Sequence, residues 1–343
     1  VEGSPEDVGR QAAELAMRPA LQLLDYPLDL LAFRLRSRLL ARVLLPALDR
    51  LGRRLLPRFP DAHRRELFAM AAALGDERRL VRGNTMFDLK DVRPWRLFGC
   101  SSMIAGAVRT STGGPILARN LDFFPLGYLH EYGLVTMHRS PKRRTRPFAS
   151  IGFPGAVGVF SGMNDAGLTA VTHDVFHPGG RGFNLKGEPF ACLCRRVLES
   201  CSRVREAEEL FNSVERTTSV SMAVCDPFDQ AVFELSPESV VRREPERNAL
   251  VCTNHFVGPM RSNLGDANPF NTVGRMERLS RAVAVECLIG VEEAWETLLD
   301  VSQDTLTIQS MVYEPARQTF HVALGEGPAT LQAPTEVRLT DWL

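Results

Sequence analysis

The hydrophobic period of this chain first changes close to Cys100. Before that point Leu28, Leu31, Leu35 and Leu39 recur at helical spacing, and so do Leu44, Leu48, Leu51 and Leu55. The pattern predicts two or three helices in residues 5–58, separated near the prolines, and a further helix from Asp61 to about Leu74 with Asp61 as its cap and Gly75 as its stop. After Cys100, short apolar runs bounded by turn residues read as strands. Segments 102–109 and 115–122 form a hairpin around Gly113-Gly114, followed by strands at 134–138, 149–153, 157–160 and 168–172. Helix is predicted over 187–214, strands at 219–225, 231–235 and 250–253, helices at 275–289 and 290–303, and a last hairpin of 310–313 with 319–323. Runs of strands, then helices, then strands fit sheets sandwiched by helices.

Composition narrows the classes. The 343 residues are 44% hydrophobic and 24% charged, enough to bury a sizeable core. Lys+Arg and Asp+Glu both total 41, so no global charge argues for nucleic acid. That balance hides ten arginines between residues 34 and 65, set against few acids. The basic amphipathic stretch 11–58 has two compatible explanations: a helical layer packed on the rest with solvated Arg faces, or a surface that touches lipid. Seven cysteines without a repeated CxxC spacing suggest neither a disulfide framework nor a zinc site, and a reducing, cytoplasmic setting is the default. No uninterrupted apolar run reaches the length of a membrane span. The chain opens on Val rather than Met, which leaves a removed signal peptide open.

The residues with chemistry centre on Phe98-Gly99-Cys100-Ser101-Ser102 and Ala118-Arg119-Asn120-Leu121-Asp122-Phe123. Cys100 reads either as a buried core thiol or as a nucleophile freed when the chain cuts its own Gly99–Cys100 bond. An N-terminal cysteine carries both nucleophile and base, because its α-amine titrates at roughly 7.7–8 and can take the thiol proton. Gly99 lets the scissile peptide strain at little steric cost. A cation such as Arg119 favours the thiolate and a carboxylate such as Asp122 holds the amine. Three apart on one strand, however, the two point to opposite faces unless a twist or bulge intervenes. Cys252 and His255 have the same spacing problem as a Cys–His pair. His173, Asp174 and His177 resemble a metal cluster but lack a further ligand motif, and read as a polar loop.

Cys100-Ser101-Ser102-Met103-Ile104-Ala105 and the Arg119–Phe123 motif resemble the leading motifs of acid ceramidase and N-acylethanolamine acid amidase. Those belong to the choloylglycine hydrolase and penicillin acyl-coenzyme A acyltransferase branch of the N-terminal nucleophile hydrolases. The similarity continues through Gly155, Gly158 and Gly162, Cys252-Thr253-Asn254-His255, Arg275-Met276-Glu277-Arg278-Leu279 and Ser310–Pro315. It implies an α+β fold, a four-layer αββα sandwich, with a helical 1–99 subunit and a catalytic 100–343 subunit. It also implies Cys100 as nucleophile, Arg119 and Asp122 as its partners, Asn254 as an oxyanion donor, and Arg275 (or Arg278) closing the network. Relatives often carry Asn where this chain has Thr172-His173-Asp174, which leaves the second oxyanion donor open, with a backbone N–H of His173 or Asp174 as an alternative. The expected reaction is cleavage of a linear amide, fatty-acyl amides included, through a thioester, with no metal or organic cofactor. Acyl transfer to an amine and a non-catalytic lipid-binding role are the alternatives. The two fragments are expected to stay together as a heterodimer, because their apolar faces are too extensive to expose.

Overall fold

The computed structural model describes every residue except 90–97, 141–144, 176–181, 262–263, 265–267 and 286. The N-terminal region is a run of helices: α1 (Pro5–Leu15), α2 (Met17–Leu23), α3 (Tyr26–Leu35), α4 (Arg38–Leu55), α5 (Asp61–Leu74) and α6 (Glu77–Thr85). Ser4 and Ser37 cap α1 and α4 through their hydroxyls, and Gly75 ends α5 at φ 73°. Two expectations need correction here. The prolines mark only some of the breaks: Pro27 sits in the first turn of α3, just after the break at 24–25, whereas Pro46 lies inside α4 and the break at 36–37 has no proline. The carbonyl that Pro46 leaves unbonded belongs to Arg42, which is exposed to water. Asp61 is the first residue of α5 rather than its cap, which is Pro60.

The rest of the chain runs β1 (Phe98–Ala105), β2 (Ile116–Phe123), β3 (Leu134–His138), β4 (Phe148–Gly152), β5 (Ser161–Asn164), β6 (Thr169–Asp174), α7 (Phe190–Ser200), α8 (Val204–Ser213), β7 (Val220–Cys225), β8 (Gln230–Leu235), β9 (Val240–Arg243), β10 (Ala249–Cys252), α9 (Thr272–Ala284), α10 (Val291–Asp300), β11 (Thr307–Glu314), β12 (Thr319–Leu324) and β13 (Thr335–Arg338). Six strands form one sheet in the order β10-β1-β2-β11-β12-β13, and β3 to β9 form the other in sequence order. Segment 157–160, expected as a strand, is a loop. Asn84 of α6 accepts from its Val157 N–H and the Ala191 carbonyl from its Val159 N–H, so its backbone is satisfied without a ladder. The first strand begins at Phe98 and ends at Ala105, and the helix of 187–214 is broken at 201–203. Strands β5, β9 and β13 went unpredicted; the last two are short, charged edges of the kind that resist further pairing.

Side-chain alternation explains the layers. In the seven-stranded sheet Ala170, Met222, Val224 and Phe233 face Leu193 and Val197 of α7 and Phe211 of α8. Their neighbours Val171, Ala223 and Val232 face Ile104, Leu117 and Met311 of the six-stranded sheet. The far side of that sheet packs Met103, Ala118 and Val312 on Leu279 of α9 and Leu298 of α10. The order helix, sheet, sheet, helix is the αββα sandwich. The N-terminal helices lie against it through Leu80, Val81 and Leu89, which pack with Val157 and Cys192. A buried ionic cluster joins α5 to α7. Arg195 donates to both oxygens of Glu66 at 2.8 and 2.6 Å and to Glu199 at 2.8 Å, and Glu199 meets His63 at 2.9 Å.

Candidate active site

Cys100 is the third residue of β1 and is fully buried in the inner strand pair. Its register partner is Leu121, with Gly99 opposite Asp122 and Ser102 opposite Arg119. Strand alternation therefore puts the thiol, Leu121 and Arg119 on the inter-sheet side and Asp122 on the side of α9. The expected conflict between Arg119 and Asp122 is real in direction but not in effect, since each meets a different part of Cys100.

On the inter-sheet side, Arg119 Nη2 lies 3.2 Å from Cys100 Sγ, while Nη1 donates to the Phe160 carbonyl at 2.6 Å. On the helix side the backbone of Cys100 is held. Its N–H donates to Asn254 Oδ1 at 3.0 Å, and its carbonyl accepts from Arg275 Nη1 at 2.8 Å. The same Arg275 nitrogen meets Asp122 Oδ2 at 3.1 Å, and Arg275 Nη2 donates to Asn254 Oδ1 at 2.6 Å. Asp122 Oδ1 accepts from Thr307 Oγ1 at 2.7 Å, which a register shift between Thr307 and Gln309 allows. Arg119 and Arg275 are both completely buried. Burying a cation costs several kcal/mol before pairing returns anything, so two such arginines around one cysteine are poorly explained by stability alone.

Burial pushes the Cys100 thiol up to about 11, with the Arg119 guanidinium opposing the shift. The thiol of the uncut chain is therefore neutral near pH 7. Burial likewise raises the Asp122 carboxyl above its ordinary value, against the pull of Arg275 and the Thr307 hydroxyl.

The remaining predicted residues divide. Asn254 is at the centre, but its amide NH2 donates to the Asp174 carbonyl at 2.8 Å; in the intact chain it presents oxygen, not N–H, to Cys100. Of the two candidate arginines, Arg275 reaches Cys100, whereas Arg278 lies half-buried 3.8 Å from Asp300. Thr172 gives both its N–H and its hydroxyl to the Phe160 carbonyl. His173 is buried, and burial holds it well below its usual pKa, hence neutral. His255 bonds Thr272 at 2.8 Å and does not meet Cys252. His177 lies outside the described residues.

Sequence reasoning passed over Thr307, Phe160 and the turn at Phe270-Asn271. Phe160 acts through its backbone, which no residue pattern reveals. Phe270 (φ 53°, ψ 28°) and Asn271 (φ 48°, ψ 43°) are consecutive left-handed residues that are not glycine. Such a conformation costs about 1–2 kcal/mol per residue. It is held by Arg275 Nε, which donates to the Phe270 carbonyl at 2.7 Å, and by Thr272, whose hydroxyl accepts from the Asn254 N–H at 2.8 Å.

The model of the acyl-coenzyme A:6-aminopenicillanic acid acyl-transferase family matches residues 109–329, a stretch that holds Arg119, Asp122, Asn254 and Arg275 and begins nine residues after Cys100. No curated protein matches the chain. Among solved structures, the Caenorhabditis elegans ortholog of N-acylethanolamine-hydrolyzing acid amidase aligns with a TM-score of 0.48 at 17% identity, covering 63% of this chain and 93% of the other. Conjugated bile acid hydrolase from Clostridium perfringens aligns at 0.48 and 13%, covering 71% and 93%. Penicillin V acylase from Agrobacterium tumefaciens aligns at 0.48 and 14%, covering 70% and 86%.

Proposed function

Because this chain belongs to the acyl-coenzyme A:6-aminopenicillanic acid acyl-transferase family, we propose that it is a self-processing cysteine amidase that takes acyl groups from linear amides onto Cys100. One observation carries the reading: thiol, amide nitrogen and carbonyl of this single residue are each held by a different buried side chain, Arg119, Asn254 and Arg275.

In the first step Cys100 Sγ attacks the Gly99 carbonyl carbon, the Gly99–Cys100 C–N bond breaks, and the nitrogen gains a proton to become an amine. Water then cleaves the Gly99 thioester and returns the thiol. The new amine supplies what the uncut chain lacks, a base titrating at roughly 7.7–8 beside a thiol that burial otherwise keeps protonated. In turnover the same thiol takes an acyl group from a substrate amide, the leaving amine collects the proton, and water resolves the thioester. Asn254 and Arg275 are the positioning residues for the amine, and Arg119 stabilises the thiolate. Once Cys100 has an amine, Asn254 Oδ1 can accept from it, as it now does from the amide.

A fatty-acyl amide suits the surroundings. An apolar pocket lined by Leu23, Tyr26, Phe87, Phe123, Leu129 and Phe160 abuts the aromatic cluster around Cys100. Its free room beside α3 and α6 is about 70 Å³, that of two or three waters, so an acyl chain needs more space than the intact chain offers there. The outer side of these helices is the second support. Leu39 (76% exposed), Val43 (66%), Leu40 and Phe33 project from the α3–α4 hairpin beside Arg36, Arg38 and Arg42, a composition that fits an anionic lipid surface.

Intact mass of the wild type beside Cys100→Ala tests the proposal. Two fragments split at Gly99–Cys100 in the wild type only are expected; an uncut wild type across pH overturns it. Free acid rather than N-acylated amine, assayed on the cut protein with a fatty-acyl anilide and an added amine, identifies hydrolysis over acyl transfer.

A further inference from the structure

Gly99, Asp122 and Thr307 form one row across β1, β2 and β11. A bulge makes the row. One step along β2, from Leu121 to Asp122, is matched by two along β11, from Gln309 to Thr307. Ile308 is the extra residue. A regular ladder would set its side chain against a buried carboxylate; instead Ile308 joins the aromatic cluster, and a hydroxyl stands opposite Asp122. Thr307 and Asp122 are both completely buried, and Thr307 Oγ1 donates to Asp122 Oδ1 at 2.7 Å. The same hydroxyl oxygen accepts from the Gln303 N–H at 2.7 Å, which leaves its proton for the carboxylate.

Resting on the self-processing reading above, we infer that Thr307 is a positioning residue for this enzyme: its hydroxyl clamps Asp122 onto Arg275, and that pair holds the backbone of Cys100. The line can be followed atom by atom. The second oxygen of Asp122 meets Arg275 Nη1 at 3.1 Å, and that nitrogen donates to the Cys100 carbonyl at 2.8 Å. Arg275 Nη2 donates to Asn254 Oδ1 at 2.6 Å, the atom that takes the Cys100 N–H. Asp122 also flanks the peptide to be cut, since its Oδ2 lies 3.1 Å from where a Cβ on Gly99 would stand. The groups that act on the carboxylate are Arg275 from α9, the Thr307 hydroxyl from β11 and, from its own strand, the Arg119 charge. All three favour the ionised form, against burial. Without the hydroxyl, Asp122 takes up a proton at higher pH, and a neutral carboxyl no longer fixes Arg275. A bulge kept beside a reactive bond is explained when it re-aims a side chain that the surroundings of the bond need.

The test compares the full-length wild type with Thr307→Val, which keeps the branched shape and drops the hydroxyl, and with Thr307→Ser, which keeps the hydroxyl. Self-cleavage is followed by intact mass, and hydrolysis of an octanoyl anilide by the cut protein gives kcat/KM. At each pH the ratio of wild-type to variant rate cancels the titrations that the two proteins share. For Thr307→Val that ratio should grow about tenfold or more between about pH 9 and 5, the scale of a hydrogen bond to a charged group. For Thr307→Ser it should stay level and close to that of the wild type. A role in folding alone gives a ratio without that slope. A flat ratio, or Thr307→Ser as impaired as Thr307→Val, therefore overturns the inference and leaves the amidase standing. A wild type that neither cuts itself nor hydrolyses the anilide overturns both. Should valine block folding, Thr307→Ala supplies the same ratio.

Discussion

The sandwich and the helices that precede it treat polar and apolar side chains in opposite ways. Within the sandwich the buried places include Arg119, which meets the Cys100 thiol, and Arg275, locked to Asp122 and Asn254 on the other side of the same cysteine. In the helices the unusual placements are on the outside. Seven of the sixteen large hydrophobics that stand exposed among the described residues fall between Leu15 and Val43, interleaved with arginines. A protein seldom exposes apolar groups so unevenly without something to cover them. One region buries charge around a cysteine; the other leaves apolar side chains in water.

Breaking the sandwich side of that contrast should have the largest effect. Arg275→Met leaves Asp122 buried without its cation and releases the Cys100 carbonyl and Asn254. Losing one partner of a fully buried pair costs about 3–5 kcal/mol. Denaturant unfolding should show a loss near the top of that range, and self-cleavage should stop by mass; a variant as stable as the wild type would mean that the pair does not bear on the fold.

Next comes the seam between the two regions. Arg195→Met strands Glu66 and Glu199 where α5 meets α7, and a loss of about 3 kcal/mol is expected. In the cut protein the same change should let the N-terminal fragment come away on size-exclusion chromatography. Retention of both fragments would show that apolar packing alone holds the seam.

A milder probe of that seam is pH. Burial opposes ionisation of Glu199, but Arg195 and His63 hold its carboxyl far below the ordinary 4.5. A lowered carboxyl contributes stability that is complete above its unfolded value and is lost as pH falls below it. The stability difference between wild type and Glu199→Gln should therefore be level from pH 7 down to about 4.5 and shrink below that. A difference that shrinks already between pH 7 and 5 would show that Arg195 does not hold this carboxyl low.

The smallest effect on folding belongs to the exposed hairpin. Leu39→Asn with Val43→Asn should change stability by no more than about 0.5 kcal/mol per site. Sedimentation with phosphatidylserine–phosphatidylcholine vesicles should fall several-fold, and binding of the wild type should weaken with salt. Unchanged sedimentation would assign the patch to another partner.

These regions were also unequally legible in the sequence. Leucine spacing marked helix over 44–55 and the Gly75 stop marked the end of 61–74, while the series Leu28 to Leu39 ran across the break between α3 and α4; Cys100, Arg119 and Asp122 stood out because a motif of fixed spacing groups them. What escaped was whatever depends on the backbone or on strands far apart in the chain. The Phe160 carbonyl has no residue signature, and Thr307 meets Asp122 only through a bulge between two strands 185 residues apart. The orientation of Asn254 was out of reach for a related reason: residue type predicts an amide at the site, but which end faces Cys100 in the uncut chain is decided by Arg275 and the Asp174 carbonyl. A helix boundary near Pro46 was over-read, since proline is tolerable inside a helix where the freed carbonyl meets water.

The bond assigned to self-cleavage lies within β1, with Phe98 and Gly99 on one side of it and the rest of the strand on the other, all laddered to β2. A cut there nicks the strand without unravelling the sheet. Phe98 stays stacked on Phe123, their ring centres 5.1 Å apart, so the new chain end begins as a plug in its own doorway. Turnover would then start not with the cut but with the withdrawal of a two-residue stopper, and the rungs it leaves on β2 would be the first backbone partners an arriving substrate finds.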